Sequence, residues 1–466
     1  MLSHQSLTRV GLDVEAGGEQ AEQGPADENQ GNLGGVNSGK KMSDHPYEEL
    51  EERRTSLDSV APPRRAHWVI VAWLQLGATI GAGVLSIGSA FSEVGWVLGL
   101  FFLFLGCSMN VYCGMLLFWA RNIVPSGIGI VEMSHQTIGK GWWTVFVSVV
   151  LHSYLLFCLG AFVLIMGTTL QEIFVDTALC SPIWSLIASI CLLPLIQLRN
   201  LNSLRWLLWI NLASFYGCIF IVLVIFIQRM PESTAVTHII RQDMTWVMFF
   251  GAMSKVSFAY MVTHVALNFM AEMEKVSEFP KAFLLSTPLQ LGTYLFIGVV
   301  AYLYLGDNAS DLITEYIKGS GGWSIAAAAF LLVHMMISFL IQGNVLSRAL
   351  HQRVCKRTIN CRKFEGKFHW FLCTFTVVAG CYLIANAVPI FDQLISLIGS
   401  LQSPFLSYVF PISVYYYAKQ GNISFLEKCL FAFILTYAGV LFFVGTAASF
   451  VAISETITNA GKPFAC

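Results

Sequence analysis

The sequence predicts an all-α polytopic membrane protein with about eleven transmembrane helices. Three observations predict it. Of the 466 residues, 56% are hydrophobic and only 12% are charged, against about 25% charged in soluble domains. Apolar runs of about 20 residues, the length a bilayer core requires, recur from Trp68 onward. Lys and Arg gather in alternate loops, as the positive-inside rule asks.

The elements follow in order. Residues 1–65 carry twelve acidic and seven basic residues and almost no aromatics. Such a segment cannot bury enough apolar surface to fold alone, and a disordered cytoplasmic tail is expected. Within it, Arg53-Arg54-Thr55-Ser56-Leu57 reads as a basophilic kinase site centred on Ser56, or as a solvated charge cluster. No cleavable signal peptide is expected, because the first apolar run begins only at Trp68. The transmembrane domain is read as 66–452, with spans near 68–90, 93–120, 142–171, 182–198, 204–228, 245–271, 283–306, 321–346, 368–388, 391–418 and 424–452. Residues 453–466 are a short tail.

With the N-terminus in the cytoplasm, fifteen Lys and Arg fall on inner loops and helix ends, seven in the tail and only four outside. One, Lys255, is left inside a span. The sequon Asn308-Ala309-Ser310 then falls outside, where Asn308 is expected to be glycosylated. Asn422-Ile423-Ser424 falls inside and should be unused. The twelve cysteines lack zinc or disulfide-framework spacing, and most read as small core residues. Cys180 and Cys466 share the outer side, which allows a bridge between them, but a tail cysteine need not lie near any partner.

The most informative segment is Trp73 to Leu85. It is apolar enough to enter a bilayer, yet glycines at 77, 81, 83 and 88 make it a poor continuous helix. Unwound backbone at membrane depth is tolerated only inside protein or along a cavity. Its free N–H groups can hold a carboxylate. A second glycine-bearing segment, Gly251 to Tyr260, follows five spans later. Two interrupted spans in corresponding positions point to a transporter site. The plainer alternative is glycine-mediated helix packing.

Lys255 sits mid-span, where a lysine costs at least about 2.5–3.5 kcal/mol. It should face a cavity or a partner, as a proton carrier or as a fixed charge in place of a metal ion. The alternative is a structural lysine bonded to unwound carbonyls. His152, His264 and His334 lie in spans 3, 6 and 8 and could relay protons. Each reads equally as an interhelical hydrogen-bonding residue. Phe258-Ala259-Tyr260 can wall a small ligand, or simply pack. No nucleophile, triad, phosphate loop, metal-ligand spacing or nucleic-acid motif is present, so neither an enzyme nor a nucleic-acid binder is indicated, and no cofactor is expected.

At these residues the chain resembles the amino acid/auxin permease family, over nearly all of 66–452. Gly81-Ala82-Gly83-Val84-Leu85, then Ala90-Phe91 and Gly95-Trp96, resembles the first-helix signature. Phe258-Ala259-Tyr260, then His264 and Glu272, resembles the sixth helix. Ala385-Asn386-Ala387-Val388-Pro389-Ile390-Phe391, then Leu397-Ile398-Gly399 and Pro411, resembles the ninth-to-tenth helix segment. The resemblance implies a LeuT-type inverted repeat of five plus five helices, about 68–228 and 245–418, with an extra helix near 424–452. It implies secondary transport of amino acids coupled to H⁺, or to Na⁺ in some branches. By position, Ile80, Gly81, Ala82 and Gly83 would meet the substrate's carboxylate and amine. Phe258, Ala259 and Tyr260 would face them, with Tyr154 and Ser338 as further candidates by helix position. The chain departs from the family at Gly88, where many members have proline, and in a one-residue displacement of His264. It departs again at Lys255, where relatives carry a small, amide or acidic residue.

The reading is therefore an amino-acid transporter working by alternating access, coupled to H⁺ through Lys255, His264 or His334, with Na⁺ as the alternative ion. A neutral amino acid is the expected substrate and the lipid bilayer the expected surrounding. The plasma membrane is the first location, and a vacuolar or lysosomal membrane the second. An amino-acid receptor signalling through the tail is the reading from another class. A channel is disfavoured by two broken helices and no filter-like loop.

Overall fold

The computed structural model describes residues 66–460, apart from 178, 199–204, 230–234, 310–316, 318–320, 359–360, 362 and 389. The expected tail 1–65, with Ser56, and Cys466 lie outside the described residues. Cys180 is disulfide-bonded.

Helices run the length of these residues. The first span is broken into α1 (Trp68–Thr79), α2 (Ala82–Leu85) and α3 (Ile87–Val94), with a 55° bend at the break. Then come α4 (Trp96–Ile123), a short connecting helix α5 (Ile130–Thr137), α6 (Trp142–Ile173), α7 (Ser181–Leu195) and α8 (Arg205–Arg229). A second broken span follows as α9 (Trp246–Ala259) and α10 (Thr263–Glu272). The remainder is α11 (Phe279–Leu305), α12 (Gly322–Val354), α13 (Phe364–Ala387), α14 (Phe391–Leu401), α15 (Phe410–Ala418), α16 (Phe425–Val440) and α17 (Thr446–Ala460). Wide π turns at Pro404–Val409 and Leu441–Gly445 join α14 to α15 and α16 to α17.

Among the described residues, eight helical stretches are long and apolar enough to cross a bilayer, and the bent first span makes a ninth. The other two expected spans are shorter than that. One is α7, of 15 residues, with Pro194 in its last turn. The other is split into α9 and α10, of 14 and 10 residues.

Local chemistry sets several ends. Thr245 caps α9 by accepting from the Met248 N–H at 3.3 Å. Ser424 and Glu427 form a reciprocal capping box on α16. Gly95 separates α3 from α4 at φ +85°, and a Cβ there would lie 2.8 Å from the His238 carbonyl. Only glycine lets the strap before α9 approach so closely. That strap bonds across the junction: Trp96 and Val97 N–H donate to the carbonyls of His238 and Ile239 at 3.1 and 3.0 Å.

Lipid is as apolar as leucine, so helices in a bilayer associate through close packing and polar bonds. In one group α11 lies along α1 and α3, and α9 packs on α3. In the other α12 lies along α6 and α8, and α13 along α6. The helix α14 packs on α9, α6 and α17. Buried side-chain bonds tie neighbours: Ser396 to Ser449 at 2.9 Å, and Gln197 to Thr374 at 2.9 Å. The backbone just before α1 also pairs with the end of α10, in a parallel bridge between Ala66 and Met273.

Candidate functional site: two facing helix breaks

Thr79 ends α1, Ile80 and Gly81 are non-helical, and Ala82 restarts the helix. Gly81 has φ −161°, extended backbone open to any residue, so its role is space and not left-handed conformation. Tyr260, Met261 and Val262 interrupt the second span. The two breaks touch. A Cβ on Gly83 would lie 2.7 Å from Ala259 Cα and 3.1 Å from the Phe258 ring.

A tyrosine outside the expected set binds both breaks. The Tyr294 hydroxyl of α11 lies 2.6 Å from the Ala259 carbonyl and 3.2 Å from the Thr79 carbonyl. Gln290 Nε2 donates to the Tyr294 oxygen at 2.9 Å. Carbonyls at the ends of half-helices carry the negative end of the helix dipole and are the groups that hold coupling cations in broken-helix transporters. Here a phenol proton meets them.

A cavity of about 480 Å³ opens beside the first break. Ile80 and Gly81 form its inner end with Asn211 and Ser338, and it extends to Ala66 and Glu272. Asn211 and Ser338 bond each other at 3.2–3.3 Å. His334, fully buried one turn from Ser338, donates from Nδ1 to the Asn211 carbonyl at 3.0 Å. That bond fixes the tautomer and leaves Nε2 as an acceptor. Among the described residues Nε2 has no hydrogen-bond partner, and it lies 4.0 Å from where a Gly81 Cβ would project.

Lys255 has partners, and they are carboxylates, not unwound carbonyls. Its Nζ lies 2.8 Å from Glu93 Oε1 on α3, against Asp392 Oδ2 on α14, and 3.2 Å from Ser89 Oγ. Ser89 Oγ also donates to Asp392 Oδ1 at 2.7 Å. The lysine side chain is 1% exposed, Asp392 11% and Glu93 21%. This cluster joins three helices on the side of the breaks away from the cavity. Beside it, outside the helices, Arg241 donates to the Ser92 carbonyl at 2.8 Å and pairs with Asp243. The side-chain hydrogen bond between Arg241 and Asp243 raises the Arg241 pKa and lowers that of Asp243.

Of the expected substrate residues, Ile80, Gly81 and Ser338 line the cavity. Ala82, Gly83, Phe258 and Ala259 are buried at the contact between the breaks. Tyr260 turns to Tyr294, with ring centroids 5.1 Å apart. Tyr154 packs edge-on against His264 at 4.7 Å, so these two expected residues meet each other and not the cavity wall. His152 bonds back to its own helix at the Ser148 carbonyl, 2.5 Å away. Sequence reasoning missed Glu93, Asp392, Asn211 and Tyr294. For the two acids a signal existed, because a lone intramembrane lysine requires counter-charges and both stand at span ends.

The family model for transmembrane amino acid transporter proteins matches residues 64–457. The chain belongs to this family. The chain is similar to "Vacuolar amino acid transporter 5" of Schizosaccharomyces pombe, 24% identical over 381 residues, 76% of this chain and 86% of the relative. "N amino acid transport system protein" of Neurospora crassa is 23% identical over 427 residues, 86% of this chain and 88% of the relative. Among solved structures, MhsT in complex with L-phenylalanine superposes with a TM-score of 0.53 at 13% identity, covering 84% of this chain and 99% of MhsT. Inward-facing Mhp1 gives 0.53 at 12% identity, covering 87% and 94%. At these identities the likeness is one of fold. The family member described here is an integral membrane protein of the transporter type, and its relatives are named as transporters and not as enzymes.

Proposed function

We propose that the protein carries neutral amino acids across its membrane by alternating access, coupled to H⁺. One observation carries this reading: two touching helix breaks have a cavity on one side and a closed ion cluster on the other. On the charge count the cavity side is cytoplasmic, which supports reading the geometry as a carrier open inward and shut outward.

The substrate's two charged ends have places. Among the described residues no acceptor bonds the N–H groups of Gly81, Ala82 and Gly83, which suits a carboxylate at the break. His334 Nε2 is an acceptor suited to the α-ammonium group. Ile80 and Phe162 line the cavity, while its acids, Glu132 and Glu272, stand away from the break, which suits an uncharged side chain. Tyr294 supports H⁺ over Na⁺, because its hydroxyl holds the carbonyls a cation would need.

Counterflow of a labelled amino-acid panel into proteoliposomes, at two pH values with and without Na⁺, tests this. Saturable, sodium-independent exchange of neutral amino acids is expected. Exchange that requires Na⁺, or none with any amino acid, would overturn it. His334→Phe removes the acceptor at similar bulk. A hydrogen bond to a charged group is worth about 1.5–3 kcal/mol, so the half-saturating concentration should rise roughly ten- to hundredfold, with less change in His334→Gln.

The orientation has its own check. Asn308 is exposed at the end of α11. Glycosidase treatment should shift the expressed protein on a gel, and Asn308→Gln should abolish the shift. A relative's vacuolar name makes that membrane the second location to examine beside the plasma membrane. Both place Asn308 on the non-cytoplasmic side.

A further inference from the structure

We propose that Glu93 is a proton-binding site, and that closing the outer gate of α3, α9 and α14 onto Lys255 takes up one proton there. The inference rests on the transport reading above and adds the group that binds the proton and the step that takes it up.

The argument is one of charge and of free lone pairs. The cluster sets two carboxylates against one ammonium group. With all three ionised it holds one negative charge too many. An unmatched charge removed from water costs several kcal/mol, and carboxylates sharing one site do not both ionise easily. Among the described residues, the neighbouring elements do not supply the missing positive charge. Arg241 on the strap is matched by Asp243, with Asp307 at 3.9 Å. His238, also on the strap, bonds Asp307 at 3.0 Å. Behind α3 stands Tyr302, 6.3 Å from Phe91 between ring centroids, whose hydroxyl accepts from the His238 N–H. Neither α4 nor α11 carries a charged residue at this end; their charges, Arg121 and Lys281, are at the opposite ends. On α6 the acid is Glu172 in the last turn, and on α17 it is Glu455, which is exposed.

The two acids are not equivalent. Asp392 has a partner on each oxygen, Lys255 on one and Ser89 on the other. Among the described residues, Glu93 bonds only through Oε1; its Oε2 is buried with no hydrogen-bond partner there, against Gly251, 3.4 Å from where a Cβ would stand. Oε2 is therefore where the proton goes. The step is a simple transfer: the Glu93 carboxylate takes H⁺ from hydronium and leaves water. Glu93 is also the most exposed of the three, so solvent reaches it first when the helices part. In the open gate water hydrates each carboxylate and no proton is needed. The closed gate thus binds a proton that the open gate does not, and acid favours closure.

The test is exchange of one labelled neutral amino acid across proteoliposomes at equal pH on both sides, from pH 5.5 to 8. Exchange needs the gate to close, so the wild-type rate should fall up to about tenfold per pH unit on its alkaline limb. Glu93→Gln and Asp392→Asn each leave one anion facing Lys255, and both should flatten the profile. Lys255→Met leaves two acids and no cation, and should confine exchange to the acid end. A wild-type slope retained in Glu93→Gln and Asp392→Asn would overturn the proposal. A flat wild-type profile would overturn it too, and leave amino-acid transport standing. If Glu93→Gln fails to reach the membrane, Asp392→Asn decides alone. Failure of the wild type to exchange any amino acid would remove the transport reading, and this inference with it.

Discussion

Gly83→Val should abolish amino-acid transport while the protein still reaches its membrane. A Cβ at this position would stand 2.7 Å from Ala259 Cα and 3.1 Å from both Ala259 Cβ and the Phe258 ring. The first of these is backbone and cannot rotate away, so the two broken spans must separate. Overpacking of this kind typically costs about 1–3 kcal/mol. The larger loss is functional. The Tyr294 hydroxyl holds the Thr79 and Ala259 carbonyls together, and a displacement of about 1 Å at a binding constellation can cost roughly a hundredfold. Uptake per molecule of surface protein is the measurement. Gly439→Val, where nothing lies within 4 Å of the added Cβ, is the control and should transport normally. Normal uptake by Gly83→Val would show that the breaks need not touch.

Lys255→Met should lose concentrative uptake altogether. The side chain keeps its length and loses its charge, leaving Glu93 and Asp392 to face each other with Ser89 between. Removing one partner from a buried ion cluster typically costs about 3–5 kcal/mol. On the gate proposed above, the loss falls on the closed state, in which the three helices meet. Accumulation driven by an imposed pH gradient should disappear, and residual exchange should survive only in acid. Accumulation at the wild-type rate across pH 5.5–8 would make the lysine structural and return attention to His264 and His334.

Much of the fold was legible in the sequence, because a bilayer imposes length and hydropathy on whatever crosses it. The first break was legible for the same reason: glycines inside an apolar run conflict with a continuous helix, and the chain does part at Ile80 and Gly81. The division of labour around the breaks was not. Tyr260 follows a helix end in the family pattern, yet turns toward Tyr294, a residue whose sequence surroundings are ordinary for a membrane span. Lys255 stood out by its cost, but its partners did not. Glu93 falls at the start of the second expected span and Asp392 at the start of a later one, where charges are unremarkable. Only the packing of α3 and α14 on α9 brings both to Lys255. Asn211 was hidden because an amide in a span has no unique reading until its neighbour, here Ser338, is known.

The bridge between Ala66 and Met273 bears on the alternating access proposed above. Ala66 N–H donates to the Glu272 carbonyl, and Glu274 N–H donates back to the Ala66 carbonyl, each at 3.0 Å. The chain ends of α1 and α10 are thereby spliced across more than two hundred residues of sequence. Two such bonds are worth about 1–3 kcal/mol together, enough to make tilting one half-helix without the other a minority event. Under the proposed alternating access, the two half-helices would then share one hinge axis where two were available. A pull on the chain just ahead of Trp68 would reach Thr263–Glu272 as directly as it reaches α1 itself.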